Sequence, residues 1–149
     1  MRMETKNVIY ELRRKNGLSQ DELAEKLFVT RQAVSRWENG ETIPNTETLK
    51  LLSKVFDVSI NTLLGSPRKL ICQCCGMPLD DSTISKEVNG EFNEAYCKWC
   101  YLDGRFVYKS KESLIDFLVG HMPNPENLEE EERRIQYDSY LSQLEHWKL

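Results

Sequence analysis

The sequence predicts a mainly α protein, with five short N-terminal helices, then a small cysteine-bearing module of short β strands, then C-terminal helices. Three observations lead to this fold class. Apolar residues recur at helical spacing through the first 66 residues, where capping residues and glycines separate short helices. From Leu70 onward, cysteines and turn residues replace that periodicity. Near residue 111 the helical pattern returns.

The first two predicted helices are separated by Asn16-Gly17, which is a helix stop signal. The first helix spans about residues 3–16, with apolar positions at Val8, Ile9 and Leu12. The second begins after Ser19, because Ser19 and Glu22 fit a capping box in which each side chain accepts a hydrogen bond from the other residue's amide. Its inner face consists of Leu23, Ala24 and Leu27.

Three more helices are predicted before Pro67. Thr30 caps the third, which ends at Asn39-Gly40. The fourth runs from about Thr46 to Phe56, and Ser59 caps a short fifth. The expected inward residues of these helices are Ala33, Val34, Trp37, Leu49, Leu51, Leu52, Val55, Ile60, Leu63 and Leu64. Gly65-Ser66-Pro67 closes a first domain of residues 1–66, which is long enough to bury one small core.

The remainder of the chain is predicted to form two segments. Residues 67–109 contain the cysteines and the turn signals, and residues 110–149 are predicted to be helical. One helix covers residues 111–119, and the last starts at Asn124 or Asn127 and reaches about His146. Its apolar face, expected to pack on the cysteine module or on a dimer partner, consists of Tyr137, Tyr140, Leu141, Leu144 and Trp147.

Charge is distributed unevenly along the chain. The formal net charge is −4, but residues 1–66 carry ten Lys and Arg against nine Asp and Glu, whereas residues 67–149 carry ten against fifteen. The N-terminal domain is therefore the better candidate for contact with phosphates. The sequence has no apolar run near the roughly 20 residues of a membrane span and no signal-peptide segment, so a cytoplasmic protein with reduced thiols is expected.

The third predicted helix carries side chains suited to reading DNA. Helical geometry places Arg31, Gln32, Ser35 and Arg36 on its outward face. In the major groove, Arg can form two hydrogen bonds to guanine, and Gln can form two to adenine. Gln20, at the start of the second helix, is suited to donate to a phosphate near the positive end of the helix dipole. The pattern therefore predicts a helix-turn-helix that binds double-stranded DNA.

Residues 5–65 resemble the phage-repressor (Cro/repressor, Xre-type) helix-turn-helix domain. The strings LSQDELAEKLFVTRQAVSRWENG and IPNTETLKLLSKVFDVSINTLL carry the resemblance, which covers all five predicted helices. It implies that Gln20 holds a phosphate, that Asn39 contacts the DNA backbone, and that Trp37 and Glu38 are structural. The resemblance also implies a set of base-reading residues, namely Arg31, Gln32 and Arg36, with Ser35 or Thr30 as further candidates.

Two C-x2-C pairs, Cys72 with Cys75 and Cys97 with Cys100, predict a metal site. Two intervening residues let one loop place two thiolates at about 2.3 Å from a tetrahedral Zn²⁺. Soft thiolates favour zinc, with an iron centre as the lesser alternative. Because four cysteines leave no open position for water, we expect one structural rather than catalytic zinc ion per chain.

Cys74 lies between two of the proposed ligands. We expect it to be a small packing residue. Two alternatives remain open: a thiol of lowered pKa that senses oxidants or metal, and a replacement ligand for Cys72 or Cys75, for which C-x-C spacing is less suitable.

Residues 70–148 resemble a zinc-ribbon domain of small bacterial proteins that is often fused to this kind of helix-turn-helix. The strings CQCCGMPL, EAYCKWCYLDGRF and LSQLEHWK carry this resemblance. It implies binding of nucleic acid or protein and a zinc-ligand set of Cys72, Cys75, Cys97 and Cys100. Cys74 departs from the small non-ligand residue usual in that family.

Several aromatic side chains surround the cysteines in the sequence. We expect them to pack around the metal site, with a platform for stacking bases as the alternative. The residues concerned are Tyr96, Trp99, Tyr101 and Phe106. His121 and His146 have no cysteine or carboxylate at ligand spacing, so we expect both to be non-functional.

These observations predict a bacterial transcriptional regulator that binds a short inverted-repeat operator as a homodimer and acts mainly as a repressor. It is expected to associate with the nucleoid when bound to DNA and not to be an enzyme, because no nucleophile–base pair, phosphate loop or open metal site is found. One alternative is an adaptor whose zinc module binds a protein partner. The other is a redox or metal sensor that uses Cys74 or labile zinc.

Overall fold

The structure of the protein is a computed structural model in which residues 4–148 are described. Met3, where the first helix was predicted to start, lies outside the described residues. The chain divides into two compact units. The N-terminal unit comprises the residues up to Lys69 and the segment Asn89–Phe92, and the C-terminal unit comprises Leu70–Val88 and the residues from Asn93 onward. None of the helices in the described part is long and apolar enough to cross a membrane.

The N-terminal unit contains the five predicted helices. They are α1 (Thr5–Lys15), α2 (Gln20–Leu27), α3 (Arg31–Asn39), α4 (Thr46–Phe56) and α5 (Ile60–Leu63). All five contribute fully buried residues to the core, and these are Ile9, Leu23, Leu27, Val34, Leu52 and Leu63. Leu51 and Val55, predicted to be buried, are only partly buried, because α4 turns Phe56 rather than Val55 into the core.

Helices α2 to α5 are each preceded by a residue whose side chain accepts a hydrogen bond from a backbone N–H group of the first turn. The predicted capping box is present: the Ser19 hydroxyl accepts from the Glu22 amide at 3.0 Å, and the Glu22 carboxylate accepts from the Ser19 amide at 3.0 Å. Thr30 and Ser59 cap α3 and α5 as predicted, each at 3.1 Å. The Asn45 side chain caps α4 at 2.9 Å. Each cap satisfies an amide that has no partner within its helix.

A buried ion pair joins α1 to α3. Arg13 donates through Nε to Glu38 Oε2 at 2.6 Å and through a terminal nitrogen to Glu38 Oε1 at 2.9 Å. Arg13 also donates to the carbonyl oxygen of Leu18 at 2.9 Å. The side chains of the pair are 10% and 6% exposed, and the hydrogen bond with Glu38 raises the pKa of Arg13. A bidentate pair of this kind fixes both the distance and the rotation between two helices.

Phe28 ends α2 in the left-handed conformation, with φ of 58°. A Cβ atom in this conformation costs roughly 1–2 kcal/mol. The Phe28 side chain is 88% exposed, so that burial does not offset the cost. The turn between α2 and α3 therefore holds backbone strain that a glycine would not have.

The C-terminal unit contains the predicted short strands. Strands β1 (Ile84–Lys86) and β2 (Phe92–Cys97) pair with each other, and β3 (Tyr101–Leu102) pairs antiparallel with β4 (Arg105–Phe106). Two helices follow, α6 (Lys111–His121) and α7 (Glu130–Leu141), and then a 3₁₀ turn (Glu145–Trp147). Cys72, Cys74, Cys97 and Cys100 share one core with apolar residues of the helical segment, namely Leu114, Ile115, Leu118, Leu141 and Leu144. The C-terminal helices thus pack on the cysteine module.

The predicted bounds of the last helix are wrong at both ends. At its start, the Asn124 side chain binds both the amide and the carbonyl of Leu128, at 3.0 and 2.9 Å, which makes a turn where helix was expected. At its end, the chain leaves the helix after Leu141 because hydrogen bonds to the cysteine loop replace helical ones. The His146 amide donates to the Gln73 carbonyl at 3.2 Å, and Trp147 Nε1 donates to the Cys74 carbonyl at 2.7 Å.

Substitution of Phe28 by glycine is expected to stabilise the N-terminal unit. Phe28→Gly removes the left-handed strain, partly offset by the greater freedom of glycine in the unfolded chain, for a net gain of about 0.5–1 kcal/mol. Urea denaturation followed by circular dichroism measures it. Phe28→Ala removes the same ring but keeps a Cβ atom, so it should give no gain. Equal stability of the two variants would show that the backbone is not strained.

Removal of Glu38 is expected to destabilise the N-terminal unit strongly. Glu38→Ala leaves the buried Arg13 guanidinium without a carboxylate to offset its charge and with the Leu18 carbonyl as its remaining acceptor, which costs roughly 3–5 kcal/mol. The double variant Arg13→Met/Glu38→Leu removes both charges and should recover most of this loss in the same urea experiment. Glu25→Ala, at an exposed carboxylate of α2, is the control and should change the free energy of unfolding by less than about 0.5 kcal/mol. A double variant as unstable as Glu38→Ala would contradict this explanation.

Candidate functional site

Helix α3 presents a polar face to solvent and buries its opposite face. Val34 and Trp37 are buried in the core and anchor the helix. Most of the side chains predicted to contact DNA on this helix are exposed, namely Thr30, Arg31, Gln32, Arg36 and Asn39. Ser35, predicted on the outward face, is half-buried and accepts a hydrogen bond from Asn39 Nδ2 at 3.4 Å. The face therefore offers hydrogen-bonding groups that the fold leaves accessible.

The side chain of Arg31 has a weak partner. Its Nε lies 3.9 Å from Asp21 Oδ1, and the two side chains are 56% and 81% exposed. An exposed pair of this kind is worth little, since water screens it and both side chains lose rotamer freedom. The Arg31 guanidinium is thus able to exchange this carboxylate for another acceptor.

Gln20 occupies the first position of α2 and is linked directly to α3. Its Nε2 donates to Glu38 Oε1 at 3.1 Å, and the residue is half-buried. An amide nitrogen carries two N–H groups, so this bond leaves one of them for a further acceptor. The structure brings Gln20 and α3 together through Glu38, which the sequence resemblance identified as structural.

Sequence reasoning missed Arg13. It lies one helical turn after the buried Ile9, on the inward face of α1, where an arginine is unusual unless it is paired. That position on an apolar face was the available signal. Through Glu38, Arg13 supports both Gln20 and α3, so it positions the polar face without belonging to it.

The four predicted metal ligands form one cluster. The Sγ atoms of Cys72, Cys75, Cys97 and Cys100 all lie within 4.8 Å of one another, and those of Cys75 and Cys97 are 3.9 Å apart. Four sulfurs at about 2.3 Å from one Zn²⁺ are about 3.8 Å apart in a tetrahedron, so the observed separations fit the ion. Cys75 is half-buried, and the other three ligands are buried.

The ionisation of these thiols is mutually dependent. The hydrogen bond with Cys100 lowers the pKa of Cys72, and the same contact raises the pKa of Cys100. Backbone amides of Cys74 and Cys75 also point at Cys72 Sγ, at 3.4 and 3.5 Å, and favour a thiolate there. Four thiolates so close together require a cation to offset their charge, which is what a divalent metal supplies.

The loop that carries the first cysteine pair is held by the C-terminal segment. Gly76 has φ of 82°, and a Cβ atom built on it would lie 2.4 Å from the Tyr140 ring. The Tyr140 hydroxyl donates to the Gly76 carbonyl at 3.3 Å. Glycine is therefore required at this turn both by the backbone conformation and by the close approach of α7.

Cys74 is completely buried and lies outside the group of four sulfurs. Its backbone carbonyl accepts from the Trp147 indole, and its side chain belongs to the core of the unit. A thiol that reacts with oxidants needs access to solvent, which this one lacks. This burial suits a packing residue, and that role stays a prediction.

The aromatic side chains near the cysteines separate into two groups. Tyr96 and Phe106 pack edge to face at 4.8 Å, and the His146 ring lies 4.3 Å from Phe106. His146 is thus part of this packing, and its burial lowers its pKa. Trp99, expected to pack around the metal site as well, is 54% exposed. Its position in the second C-x2-C loop turns it outward.

Comparison with known proteins assigns both units to families. The sequence matches the family "Putative zinc ribbon domain" over residues 71–148 and the family "Helix-turn-helix" over residues 9–63. Among solved structures, the P22 c2 repressor in complex with a synthetic operator is 35% identical. That match covers 42% of this chain and 94% of the repressor chain, with a TM-score of 0.41.

Two curated relatives are transcriptional regulators by name, in agreement with the prediction of a non-enzymatic protein. The HTH-type transcriptional activator BcrR of Enterococcus faecalis is 47% identical over 63 residues, which are 42% of this chain but only 31% of BcrR. The HTH-type transcriptional regulator ImmR of Bacillus subtilis (strain 168) is 33% identical over 119 residues, which are 72% of this chain and 88% of ImmR. The chain therefore belongs to the helix-turn-helix transcriptional regulators of the phage-repressor type, and its C-terminal domain belongs to the zinc-ribbon family.

Proposed function

We propose that the protein binds double-stranded DNA in a sequence-specific manner and reads its operator with α3. The observation that carries this proposal is the exposed face of α3, which presents Arg31, Gln32 and Arg36 to solvent. The opposite face of the helix is anchored in the core by Val34 and Trp37. A helix of this kind enters the major groove with its N-terminal residues against the base edges. Membership of the helix-turn-helix regulators supports the same reading.

The side chains have distinct roles in this proposal. Arg31 and Arg36 bind guanine edges and Gln32 an adenine edge, because their donor and acceptor geometry suits two hydrogen bonds to these bases. Thr30 and Ser35 are additional groups near the bases. Gln20 donates its remaining N–H to a phosphate on one side of the groove, and Asn39 contacts the backbone on the other. Glu38 holds Gln20 in place for this role.

The protein acts as a homodimer on an operator with two-fold symmetry. One helix-turn-helix contacts only half of a typical site, and the excess of positive charge in residues 1–66 is only one unit. Non-specific attraction to phosphates is therefore modest, and affinity depends on two copies bound together. Regulation is by occupation of promoter DNA, as in a repressor.

The two alternatives predicted from the sequence have less support. Burial of Cys74 removes the accessible thiol on which the redox-sensor reading mainly depended. The negative net charge of residues 67–149 still supports the adaptor alternative, but this charge does not identify a protein partner. DNA binding through α3 is favoured because this helix presents accessible side chains that suit hydrogen bonds to bases.

Substitution of either base-reading arginine is expected to weaken operator binding. Arg31→Ala and Arg36→Ala should each cost about 1–3 kcal/mol and relax the preference at one base position. The operator is first selected from random duplex DNA by the purified full-length protein, and a two-fold symmetric motif is expected. Fluorescence anisotropy then measures the affinity of each variant.

Lys54→Ala, which removes an exposed positive charge from α4, is the control for these arginine variants. It should leave the base preference unchanged. If Arg31→Ala and Arg36→Ala both bind the selected operator with wild-type affinity, α3 does not read the bases. Selection of no motif at all would contradict sequence-specific binding.

The four clustered cysteines hold one structural zinc ion in this proposal. The set is closed, with four sulfur ligands and the core of the C-terminal unit around them. When bound, the ion supplies a crosslink between the two cysteine loops and offsets the thiolate charge. Apolar residues of the C-terminal unit bury the cluster. The backbone amides of Cys74 and Cys75 point at Cys72 Sγ.

Loss of one ligand is expected to abolish stoichiometric zinc binding. Cys97→Ser should contain well under one zinc ion per chain by atomic emission and should lose structure in the C-terminal unit by circular dichroism, because metal binding and folding are coupled. Cys74→Ser is the matched control and should keep one zinc ion per chain. Equal zinc content in the two variants would show that the ligand set is different.

A further inference from the structure

A large apolar groove opens in the C-terminal unit beside the cysteine cluster. Its volume is about 900 Å³, and its walls come from the two cysteine loops, from Val107 and Tyr108, and from α6 and α7. All of its lining residues belong to this one unit. The proposed DNA contacts do not involve this groove, and zinc ligation involves only the Cys75, Cys97 and Cys100 side chains in its floor.

The walls of the groove are mainly aromatic. Five rings line it, those of Trp99, Tyr108, Phe117, Tyr137 and Tyr140. Trp99, Phe117 and Tyr140 are 54%, 39% and 44% exposed, although burial of such side chains is favourable. The flexible side chains of Met77 and Met122 complete the walls and can adapt to the shape of a ligand.

The aromatic rings of the groove favour a positively charged occupant. Among the described residues that line it, none is an Asp or Glu, and Lys98 is the charged side chain. The faces of aromatic rings attract cations through their quadrupoles. The sulfur atoms of Cys75, Cys97 and Cys100 form part of the floor.

Cations already lie on aromatic rings in this unit. Lys98, at the rim of the groove, places its Nζ 4.9 Å from the centre of the Trp99 ring. The Arg133 guanidinium lies 5.9 Å from the centre of the Tyr137 ring. Lys98 is exposed and free to move aside, so its ammonium group marks a position that another cation can take.

The size of the groove fits a small molecule. Small-molecule sites measure roughly 300–1,000 Å³ and are lined by apolar and aromatic side chains with few polar groups. Tyr140 is fixed in one wall by its hydrogen bond to the Gly76 carbonyl, so that this wall exists before a ligand arrives. The groove is thus apolar, and the wall formed by Tyr140 is preformed.

We propose that this groove binds a lipophilic organic cation, with an apolar body against the aromatic walls and its positive charge over the Trp99 ring, in the position that the Lys98 ammonium group now occupies. The proposal does not depend on DNA binding, because every group that it uses lies in the C-terminal unit. It assigns to the zinc-ribbon domain a ligand site in addition to its structural metal.

The test uses two probes of the same shape and opposite charge. Tetraphenylphosphonium and tetraphenylborate are titrated separately into zinc-loaded full-length protein by isothermal titration calorimetry. The phosphonium is expected to bind saturably, with one site per chain and at least tenfold more tightly than the borate. Equal affinity for the two ions, or no saturable binding of the phosphonium, would overturn the proposal.

Substitutions in the groove locate the site. Trp99→Leu keeps an apolar side chain but removes the ring, and it should weaken phosphonium binding by about 3- to 30-fold. Phe117→Leu should act in the same direction and provides a second variant if the first alters folding. Phe28→Leu makes the matching change at an exposed ring of the N-terminal unit and should have no effect. Wild-type affinity in both groove variants would place the ligand elsewhere.

The groove also has to be distinguished from an interface between two copies of this chain. Sedimentation velocity is measured on the wild type and on Trp99→Leu. A dimer that the substitution dissociates, together with no phosphonium binding to the wild type, would identify the occupant as a second copy and overturn the proposal. A sedimentation coefficient unaffected by Trp99→Leu, together with saturable phosphonium binding, supports it.

Discussion

The polar face of α3 depends on a single buried carboxylate. Glu38 accepts hydrogen bonds from Arg13 of α1 and from Gln20 of α2, so three helices meet at two oxygen atoms. A short apolar core alone would let α3 rotate or slide by small amounts, because apolar contacts have little directional preference. Charge-assisted hydrogen bonds are directional. The orientation of the candidate base-reading residues is therefore set by a group that does not itself face solvent.

The sulfur cluster has the corresponding role in the C-terminal unit. In the described part of this unit, the sheets are two-stranded and two helices of moderate length follow them, and strands this short are marginal in isolation. Its apolar core includes the cysteines themselves, with Leu114, Leu118 and Leu141 packed around them. In the proposed zinc-bound protein, metal ligation and hydrophobic burial thus stabilise the same region. The exposed rings around the groove remain outside this arrangement, and for that reason they are available for other contacts.

Features that depend on neighbouring residues could be predicted from the sequence. The caps at Ser19, Thr30 and Ser59 each act within three residues, and the two-residue spacing of the cysteines is local in the same way. Features that depend on distant residues were missed. Arg13 and Glu38 are 25 residues apart, and the end of α7 is determined by contacts with Gln73 and Cys74. The groove was not predicted because α6, α7 and both cysteine loops have to be assembled before it exists.

The hydrogen bond from Trp147 to the Cys74 carbonyl has a consequence for the order in which the protein forms. Its two residues are 73 positions apart, whereas the five N-terminal helices are complete at Leu63. During synthesis the N-terminal unit is complete in sequence long before Trp147 is added, and domains generally fold as units as they emerge. Until Trp147 is added, the thiols of the cysteine loop remain incompletely covered. Newly made chains therefore pass through a stage in which the DNA-binding fold is present while the cysteine cluster is still open to solvent.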